Sequence, residues 1–273
     1  MSGMRKALLN GPLVAILAQV KFTPIMQISE YVPRIQDRFR KNGFPLFNIL
    51  QGESIQPKPS GDFERIPLKQ WIFSSANYEQ NLIIDNEQIT YQTFDIQEYT
   101  YDGFIKKYLE VLKVFDEIVE VSAFTRFGLR YVNSIPEKKD VSWKTLIREG
   151  FQGVSFPKNH DWLDNALCSY MTQRGVNLEK LKMTSNFQLR IVQSPSGNKY
   201  PDDILKLSPE TAEVFENVPK VTFLDIDHYI IFKSAPKEAL FDKLTQIFNE
   251  LHAVIEDVFF DTLITPEAIK KWS

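Results

Sequence analysis

The sequence has few of the features that mark easily recognised classes of protein. It has a single cysteine, Cys168, so it forms no disulfide within the chain and has no paired-thiol zinc or redox motif. A lone thiol is typical of a packing residue in a reducing compartment, which makes the cytoplasm the predicted location. No apolar run reaches the ~18 residues of a membrane helix. Asn10-Gly11-Pro12 interrupts the apolar residues near the start, which argues against a secretory signal and a membrane partner.

Charge and cofactor motifs are also scarce. Basic and acidic residues number 32 and 35, so the chain has no overall field that would attract nucleic acid or anionic lipid. Glycine-rich phosphate-binding motifs and the Gly-x-Ser-x-Gly nucleophile motif do not occur. We therefore expect no nucleotide cofactor and no nucleophilic catalysis by a serine or by Cys168.

The composition does support a large core, because 43% of the 273 residues are hydrophobic. Residues 13–22 alternate as a strand does, and Ile28, Val32, Ile35 and Phe39 then recur at helical spacing. Ser29 is the predicted N-cap of this helix. Residues 51–67 contain three prolines and two glycines, and this composition predicts a loop.

Three β segments follow, at residues 70–74, 80–84 and 88–94, with the turn-forming pair Asp85-Asn86 between the last two. An apolar stripe from Phe104 to Val119 then predicts a helix long enough to cross a sheet. These elements form one β-α-β-β-β-α set.

The same order of elements then recurs. Strands are predicted at residues 125–135, 185–193 and 221–232, and a short helix at 143–149. Ser234 and Pro236 open a second long helix with a strong apolar stripe. Residues 151–182 are predicted to be an inserted helical or irregular segment, and residues 194–219 are rich in turn signals.

The predicted fold class is therefore α+β, with one or two antiparallel sheets covered by long helices. Its outline is that of helix-grip or TATA-binding-protein-like folds, through duplication of the β-α-β-β-β-α unit. The first copy would span residues 1–122, and a more elaborate second copy would span 123–273. The two copies would pack into one compact unit, and the sequence leaves a homodimer open.

Several stretches resemble one known family along the whole chain. They are Leu9-Asn10-Gly11-Pro12-Leu13-Val14, Gln19-Val20-Lys21-Phe22, Trp71-Ile-Phe-Ser-Ser75, Arg126-Phe-Gly-Leu-Arg-Tyr-Val-Asn133, Leu251-His252 and residues 259–265. They are similar to a sporadically distributed prokaryotic family of uncharacterised proteins, of which Arg-x-Gly-Leu-Arg-Tyr-x-Asn is the most specific motif. Residues 14–19 depart from the family pattern, because they lack its usual acidic residue. The resemblance implies one shared architecture and no particular reaction.

Arginines in the predicted strand 125–135 are the main candidates for binding. Alternate residues of a strand share a face, so Arg126, Gly128 and Arg130 point away from the apolar face. With Asn133 near the strand end, the two guanidiniums have the geometry to hold a phosphate or carboxylate. Asp225 and Asp227 also share a face, and cross-strand ion pairs with the two arginines are the alternative to ligand binding.

Histidines provide a second, separate hypothesis. His252 precedes Glu256 by one helical turn, so the carboxylate can orient the imidazole, or both can reach one metal. Asp225, Asp227 and His228 would complete a site only if strand and helix converge; no metal is predicted on two ligands. A histidine that only hydrogen-bonds locally is the alternative. His160, beside Asp161, is a weaker candidate of the same kind.

Strand aromatics could in principle stack on nucleobases. They are Trp71, Phe73, Tyr91 and Phe94, with Lys69 and Arg65 nearby. Core packing explains them more simply, and the balanced charge argues against nucleic acid as a partner.

Three functional hypotheses follow. The leading one is a non-enzymatic module that binds an anionic small molecule or an acidic protein segment at Arg126, Arg130 and Asn133. The second is an enzyme for a phosphorylated or nucleotide-like substrate, with His252 and Asp225 or Asp227 as acid-base or metal groups. The third is an accessory or antitoxin-like component of a prokaryotic defence cassette, which rests on the patchy distribution of the family that the chain resembles.

Overall fold

One antiparallel sheet organises the protein. The structure is a computed structural model that describes residues 8–57, 63–97, 99–137, 142–152, 168–194, 197–204, 215, 218 and 220–273. The strands are β1 (Leu13–Phe22), β2 (Leu46–Pro57), β3 (Phe63–Ser74), β4 (Gln80–Ile84), β5 (Gln88–Thr93), β6 (Ala123–Pro136), β7 (Cys168–Leu178), β8 (Met183–Ser194) and β9 (Val221–Pro236). Their order across the sheet is β2-β3-β4-β5-β1-β6-β9-β8-β7. The first strands of the two predicted units, β1 and β6, therefore pair with each other near its centre.

The helices lie between and after these strands. They are α1 (Ile28–Arg40), α2 (Tyr101–Val119), α3 (Trp143–Leu146), α4 (Lys237–Leu240), α5 (Leu244–Asp257) and α6 (Pro266–Trp272). None of the described helices is long and apolar enough to cross a membrane. The prediction of an α+β protein with an antiparallel sheet under long helices is confirmed.

The core lies between one face of the sheet and the helices α1, α2 and α5, and we call this the helix face. Phe22 of β1 contacts Phe115 of α2, and Phe127 of β6 contacts Phe248 of α5. All four rings are fully buried, so they contribute strongly to stability. The neighbouring residues of each strand point to the other side of the sheet, which we call the opposite face.

The predicted loop at residues 51–67 is wrong for the described residues 51–57 and 63–67, and residues 58–62 lie outside the described residues. The described residues belong to β2 and β3, whose register runs from Leu46↔Ser74 to Pro57↔Phe63. β4 pairs with β3 only at residues 71–74, so β3 is an edge strand at Pro67. An edge strand tolerates a proline, because one of its two sides has no neighbouring strand that needs the missing N–H.

Residues 168–178 are also not helical or irregular, because they form β7 at the other edge of the sheet. Residues 153–167 of the predicted insertion, with His160, lie outside the described residues. One predicted helix start also differs from the structure, because α1 begins at Ile28 without a side-chain cap, so Ser29 is not its N-cap. The predicted helix start at Pro236 is observed, since Pro236 is the N-cap of the short helix α4, whereas Ser234 lies within β9. A 3₁₀ turn at Phe241–Lys243 then joins α4 to the long helix α5.

Candidate functional site

Six charged side chains form a cluster on the opposite face of the sheet. They are Arg126, Arg130, Arg190, Asp203, Asp225 and Asp227, which we call the arginine–aspartate cluster. The strand alternation predicted from the sequence brings the first two arginines here. Phe127, Leu129 and Tyr131 point to the helix face, so Arg126 and Arg130 point away from the core.

Asp225 is the centre of the cluster. Arg130 donates to its two carboxylate oxygens, from Nε at 2.7 Å and from Nη2 at 2.8 Å. Arg190 of β8 donates to Oδ2 from Nε at 2.9 Å and from Nη2 at 2.6 Å. The side chain of Asp225 is only 6% exposed, so its charge depends on these two arginines rather than on water.

Arg126 makes a separate set of contacts. Its Nη2 donates to Asp227 Oδ2 at 2.8 Å, and its Nη1 donates to Gln19 Oε1. The guanidinium also lies over the ring of Tyr229, 4.4 Å from the centroid. Gly128 makes this position available, because a Cβ there would collide with the guanidinium.

A chain of hydrogen bonds extends from Arg126 across three further segments. Gln19 of β1 donates to Gln88 Oε1 at 2.9 Å, and Gln88 of β5 donates to Asp85 Oδ2 at 2.7 Å. Asp85 lies in the β4–β5 turn, where burial raises its pKa against the opposing effect of its hydrogen bonds. Arg126 is therefore held by partners on both sides.

Asp203 reaches the cluster from outside the sheet. Its Oδ2 lies 2.8 Å from Arg130 Nη2, and its Oδ1 lies 3.2 Å from Arg190 Nη2. Its side chain is 50% exposed, in contrast to Asp225. One carboxylate is thus built into the sheet, while the other is held from the solvent side by the same two guanidiniums.

The cluster is electrically neutral, since three guanidiniums face three carboxylates. Burial works against the charged form of Arg130, but the hydrogen bonds and the charges of Asp225 and Asp203 together outweigh it and raise the pKa of Arg130 above its ordinary value. Burial also tends to raise the pKa of Asp203, but the charges of Arg130 and Arg190 lower it overall. Burial raises the pKa of Asp227 despite the opposing charge of Arg126. Without Asp203, the cluster would carry one net positive charge.

The cross-strand ion pairs that we considered as an alternative to ligand binding are present. Arg126 pairs with Asp227, and Arg130 pairs with Asp225. Asn133 does not join them, because it is buried and donates to the backbone carbonyl of Leu224 at 3.2 Å. Any ligand must therefore bind beside existing ion pairs or replace one of them.

His252 lies on the helix face, where it is part of a different network. Tyr131 Oη is 2.9 Å from His252 Nδ1 and 2.6 Å from Tyr99 Oη. The ring of Tyr101 stacks on the imidazole with centroids 3.7 Å apart, and Glu256 Oε2 lies 3.7 Å from Nε2. The predicted proximity of His252 and Glu256 is thus observed, together with a tyrosine pair that the spacing did not predict.

Burial fixes the protonation of this histidine. It lowers the pKa of His252 to about 4, so the imidazole is neutral at pH 7. A neutral ring with its proton on Nε2, towards Glu256, accepts a hydrogen bond from Tyr131 at Nδ1. Tyr131 Oη can then accept a hydrogen bond from Tyr99 Oη, so both tyrosine hydroxyls of this network have a partner.

We expect Tyr131→Phe to lower the free energy of unfolding by about 1–3 kcal/mol, because it leaves Tyr99 Oη and His252 Nδ1 unpaired in a buried site. Tyr101→Phe is the matched control, since its hydroxyl donates to Asn249 at an exposed position. Urea denaturation of both variants checks this. Equal losses of stability in the two variants would show that the Tyr99–Tyr131–His252 hydrogen bonds contribute no more than one exposed hydrogen bond.

The structure does not bring His252 together with Asp225 or Asp227. The two aspartates lie on the opposite face, whereas His252 and His228 lie on the helix face. His228 Nδ1 donates to Leu251 O at 2.9 Å, and its Nε2 lies 2.7 Å from Ser185 Oγ, so both nitrogens are used within the core. Within the described ranges, no three His, Cys, Asp or Glu side chains form a group that could hold a metal.

The proposed stacking aromatics are buried as well. Trp71, Phe73 and Tyr91 lie in the main core, and Phe94 packs in a smaller cluster on the opposite face. Their exposed fractions are 6% or less, so they present no ring to a nucleobase. Lys69 lies 5.2 Å over the ring of Trp71. The side chain of Arg65 lies outside what the structure describes.

Sequence reasoning missed two members of the cluster, Arg190 and Asp203. Arg190 stands between the buried residues Leu189 and Ile191, so the same alternation that identified Arg130 places it on the opposite face. Asp203 follows Pro201-Asp202 in a stretch that signals only a turn. No local pattern connects it with a strand arginine.

Two comparisons with known proteins gave no match. No protein-family model matches the chain, and no curated protein is significantly similar to it. The family resemblance described above therefore stays a prediction.

Proposed function

We propose that the protein is a binding module that receives an oxyanion, on a small molecule or on an acidic protein segment, at the arginine–aspartate cluster. Arg130 and Arg190 would hold the anion, and Arg126 would extend the basic surface. The observation that carries this proposal is Asp203, a half-exposed carboxylate that two guanidiniums hold from the solvent side. A carboxylate of a ligand would have the same hydrogen-bonding geometry.

The two carboxylates on Arg130 differ in how easily they exchange. Asp225 is almost fully buried, and removing its charge would leave two guanidiniums without their main partner. Asp203 is half exposed, and ion pairs of that kind contribute only about 0–1 kcal/mol. An incoming oxyanion therefore needs to replace only the weaker of the two.

Calorimetric titration tests this proposal with two probes, glutarate and a hexaglutamate peptide, at low salt. Arg190→Ala is expected to weaken hexaglutamate binding about tenfold, the effect of losing one charge-assisted contact. Arg174→Ala is the matched control, because Arg174 lies on the neighbouring strand and points to the helix face. Thermal melting of each variant verifies that it is folded.

The two probes also distinguish the source of the oxyanion. Binding of glutarate alone would indicate a small molecule, and binding of hexaglutamate alone would indicate a protein segment. The titrations are made on the natural chain and on Asp203→Asn. Absence of binding in both chains, or equal effects of Arg190→Ala and Arg174→Ala, contradicts the proposed function.

We further propose that the chain arose by internal duplication, with units at residues 1–122 and 123–273. The shared order of strand, helix, strands and helix supports it, although β1-α1-β2-β3-β4-β5-α2 has four strands between its helices and β6-α3-β7-β8-β9-α4-α5 has the predicted three. The central pairing of β1 with β6 also supports it, and the outline would be that of helix-grip or TATA-binding-protein-like folds. A cytoplasmic location is likewise a proposal, and the single cysteine supports it.

A further inference from the structure

Residues 197–204 cross the opposite face of the sheet, and we call them the strap. Their sequence is Gly-Asn-Lys-Tyr-Pro-Asp-Asp-Ile. Three side chains of the strap contact the sheet. Asp203 bridges Arg130 and Arg190 as described above, and Tyr200 and Ile204 make the other two contacts.

The aromatic contact is made by Tyr200. Its ring packs edge-on against Phe94, with the centroids 4.9 Å apart and the planes at 71°. Phe94 follows β5 directly and is itself buried. This contact therefore places an aromatic ring of the strap at one fixed point beside the sheet.

The aliphatic contact is made by Ile204, which is only 8% exposed. It packs in a small apolar cluster with Val14 and Ala15 of β1 and Val132 of β6. The backbone N–H of Ile204 donates to Pro201 O at 3.0 Å, so a tight turn presents Asp203 and Ile204 side by side.

We infer that the natural partner is a protein segment with the pattern of the strap itself: an aromatic residue, a carboxylate three residues later, and an aliphatic residue immediately after it. The strap occupies this site within the chain, and the partner binds by replacing it. The inference rests on the proposed function and narrows its ligand from any oxyanion to one kind of peptide.

Two features of the site support a peptide rather than a free small anion. The oxyanion position lies beside an apolar cluster that receives one aromatic and one aliphatic side chain, and a small dicarboxylate would use neither. The three contacts occur within five consecutive residues, so one short segment can make all of them. A tethered segment also competes at a high effective concentration, so the occupied site should bind external peptide weakly.

The test uses the 273-residue chain and a fluorescent peptide with the sequence of residues 197–204. Asp203→Asn weakens the contact of the strap with Arg130 and Arg190. Asp202→Asn is the matched control, since Asp202 is the adjacent, exposed residue. Fluorescence anisotropy is expected to show that Asp203→Asn protein binds the peptide about three- to fivefold more tightly than Asp202→Asn protein, as the loss of a half-exposed ion pair allows. A chain that combines Tyr200→Ser with Asp203→Asn is expected to bind it more tightly still.

The peptide itself gives the second arm. A peptide with asparagine at the position of Asp203 should bind Asp203→Asn protein about three- to fivefold more weakly than the unchanged peptide. Equal peptide binding by the Asp203→Asn and Asp202→Asn proteins would overturn the inference. If hexaglutamate still bound in an Arg190-dependent manner in that case, the proposed function would stand without the inference about the strap. Loss of both the hexaglutamate binding and the difference in peptide binding would contradict the proposed function and the inference.

Discussion

Replacing Asp225 by alanine is expected to lower the free energy of unfolding by about 3–5 kcal/mol, the cost of leaving buried charges without their partner. Arg130 and Arg190 together make four hydrogen bonds to this carboxylate. Among the described residues, Asp203 is the only other carboxylate that contacts both guanidiniums. In these ion pairs, it contacts each guanidinium through a single terminal nitrogen.

Asp203→Ala provides the matched comparison. Its side chain is half exposed, so its loss should cost less than about 1 kcal/mol although it contacts the same two arginines. Denaturation of the two variants in guanidinium chloride measures the difference between their free energies of unfolding. Losses of similar size would contradict our distinction between a structural carboxylate and an exchangeable one.

Acidification from pH 7 to pH 5 is expected to cost about 2 kcal/mol of stability for each of the two buried histidines. Burial lowers the pKa of His228 to about 4, against the opposing effect of its hydrogen bond to Leu251, and burial also lowers the pKa of His252 to about 4. In the unfolded chain, both would have a pKa near 6.5. Between these values only the unfolded state takes up protons, so stability is present above pH 6.5 and is lost as the pH falls towards 4.

His228→Asn isolates one of these contributions. The asparagine amide can still donate to Leu251 O but does not titrate in this range. Burial raises the pKa of Asp85 and Asp227, so these groups oppose the trend, but they do so equally in both chains. Urea denaturation at pH 7 and pH 5 should show a pH effect about 2 kcal/mol smaller in the variant. The same pH effect in both chains would contradict a neutral, buried His228.

The sequence predicted the inner part of the sheet better than its edges. β1 and β4 have their predicted bounds, because turn-forming residues mark their ends, Asn10-Gly11-Pro12 before β1 and Asp85-Asn86 after β4. The missed strands are β2 and β7, which lie at the two edges. β2 exposes Phe47, Ile49 and Leu50 along one stretch, so its apolar residues follow no alternation. Local composition alone could not separate such a strand from a loop.

The candidate site was predicted only as far as strand alternation reaches. It placed Arg126, Arg130, Asp225 and Asp227 on one face, and the pairing of β6 with β9 brings them together. It could not predict Asp203, because this contact depends on where a turn-rich segment crosses the sheet. Likewise, helical spacing brought Glu256 near His252, but Tyr131 comes from a strand 121 residues earlier in the chain.

The central claim is that Arg130 and Arg190 hold an exchangeable oxyanion, and nitrogen-15 NMR of the arginine Nε–Hε groups tests it most directly. In Asp203→Asn protein titrated with hexaglutamate, the account predicts that the signals of Arg130 and Arg190 shift together and saturate, while that of Arg174 stays in place. Signals of Arg130 and Arg190 that do not move, or that move no more than that of Arg174, would contradict it.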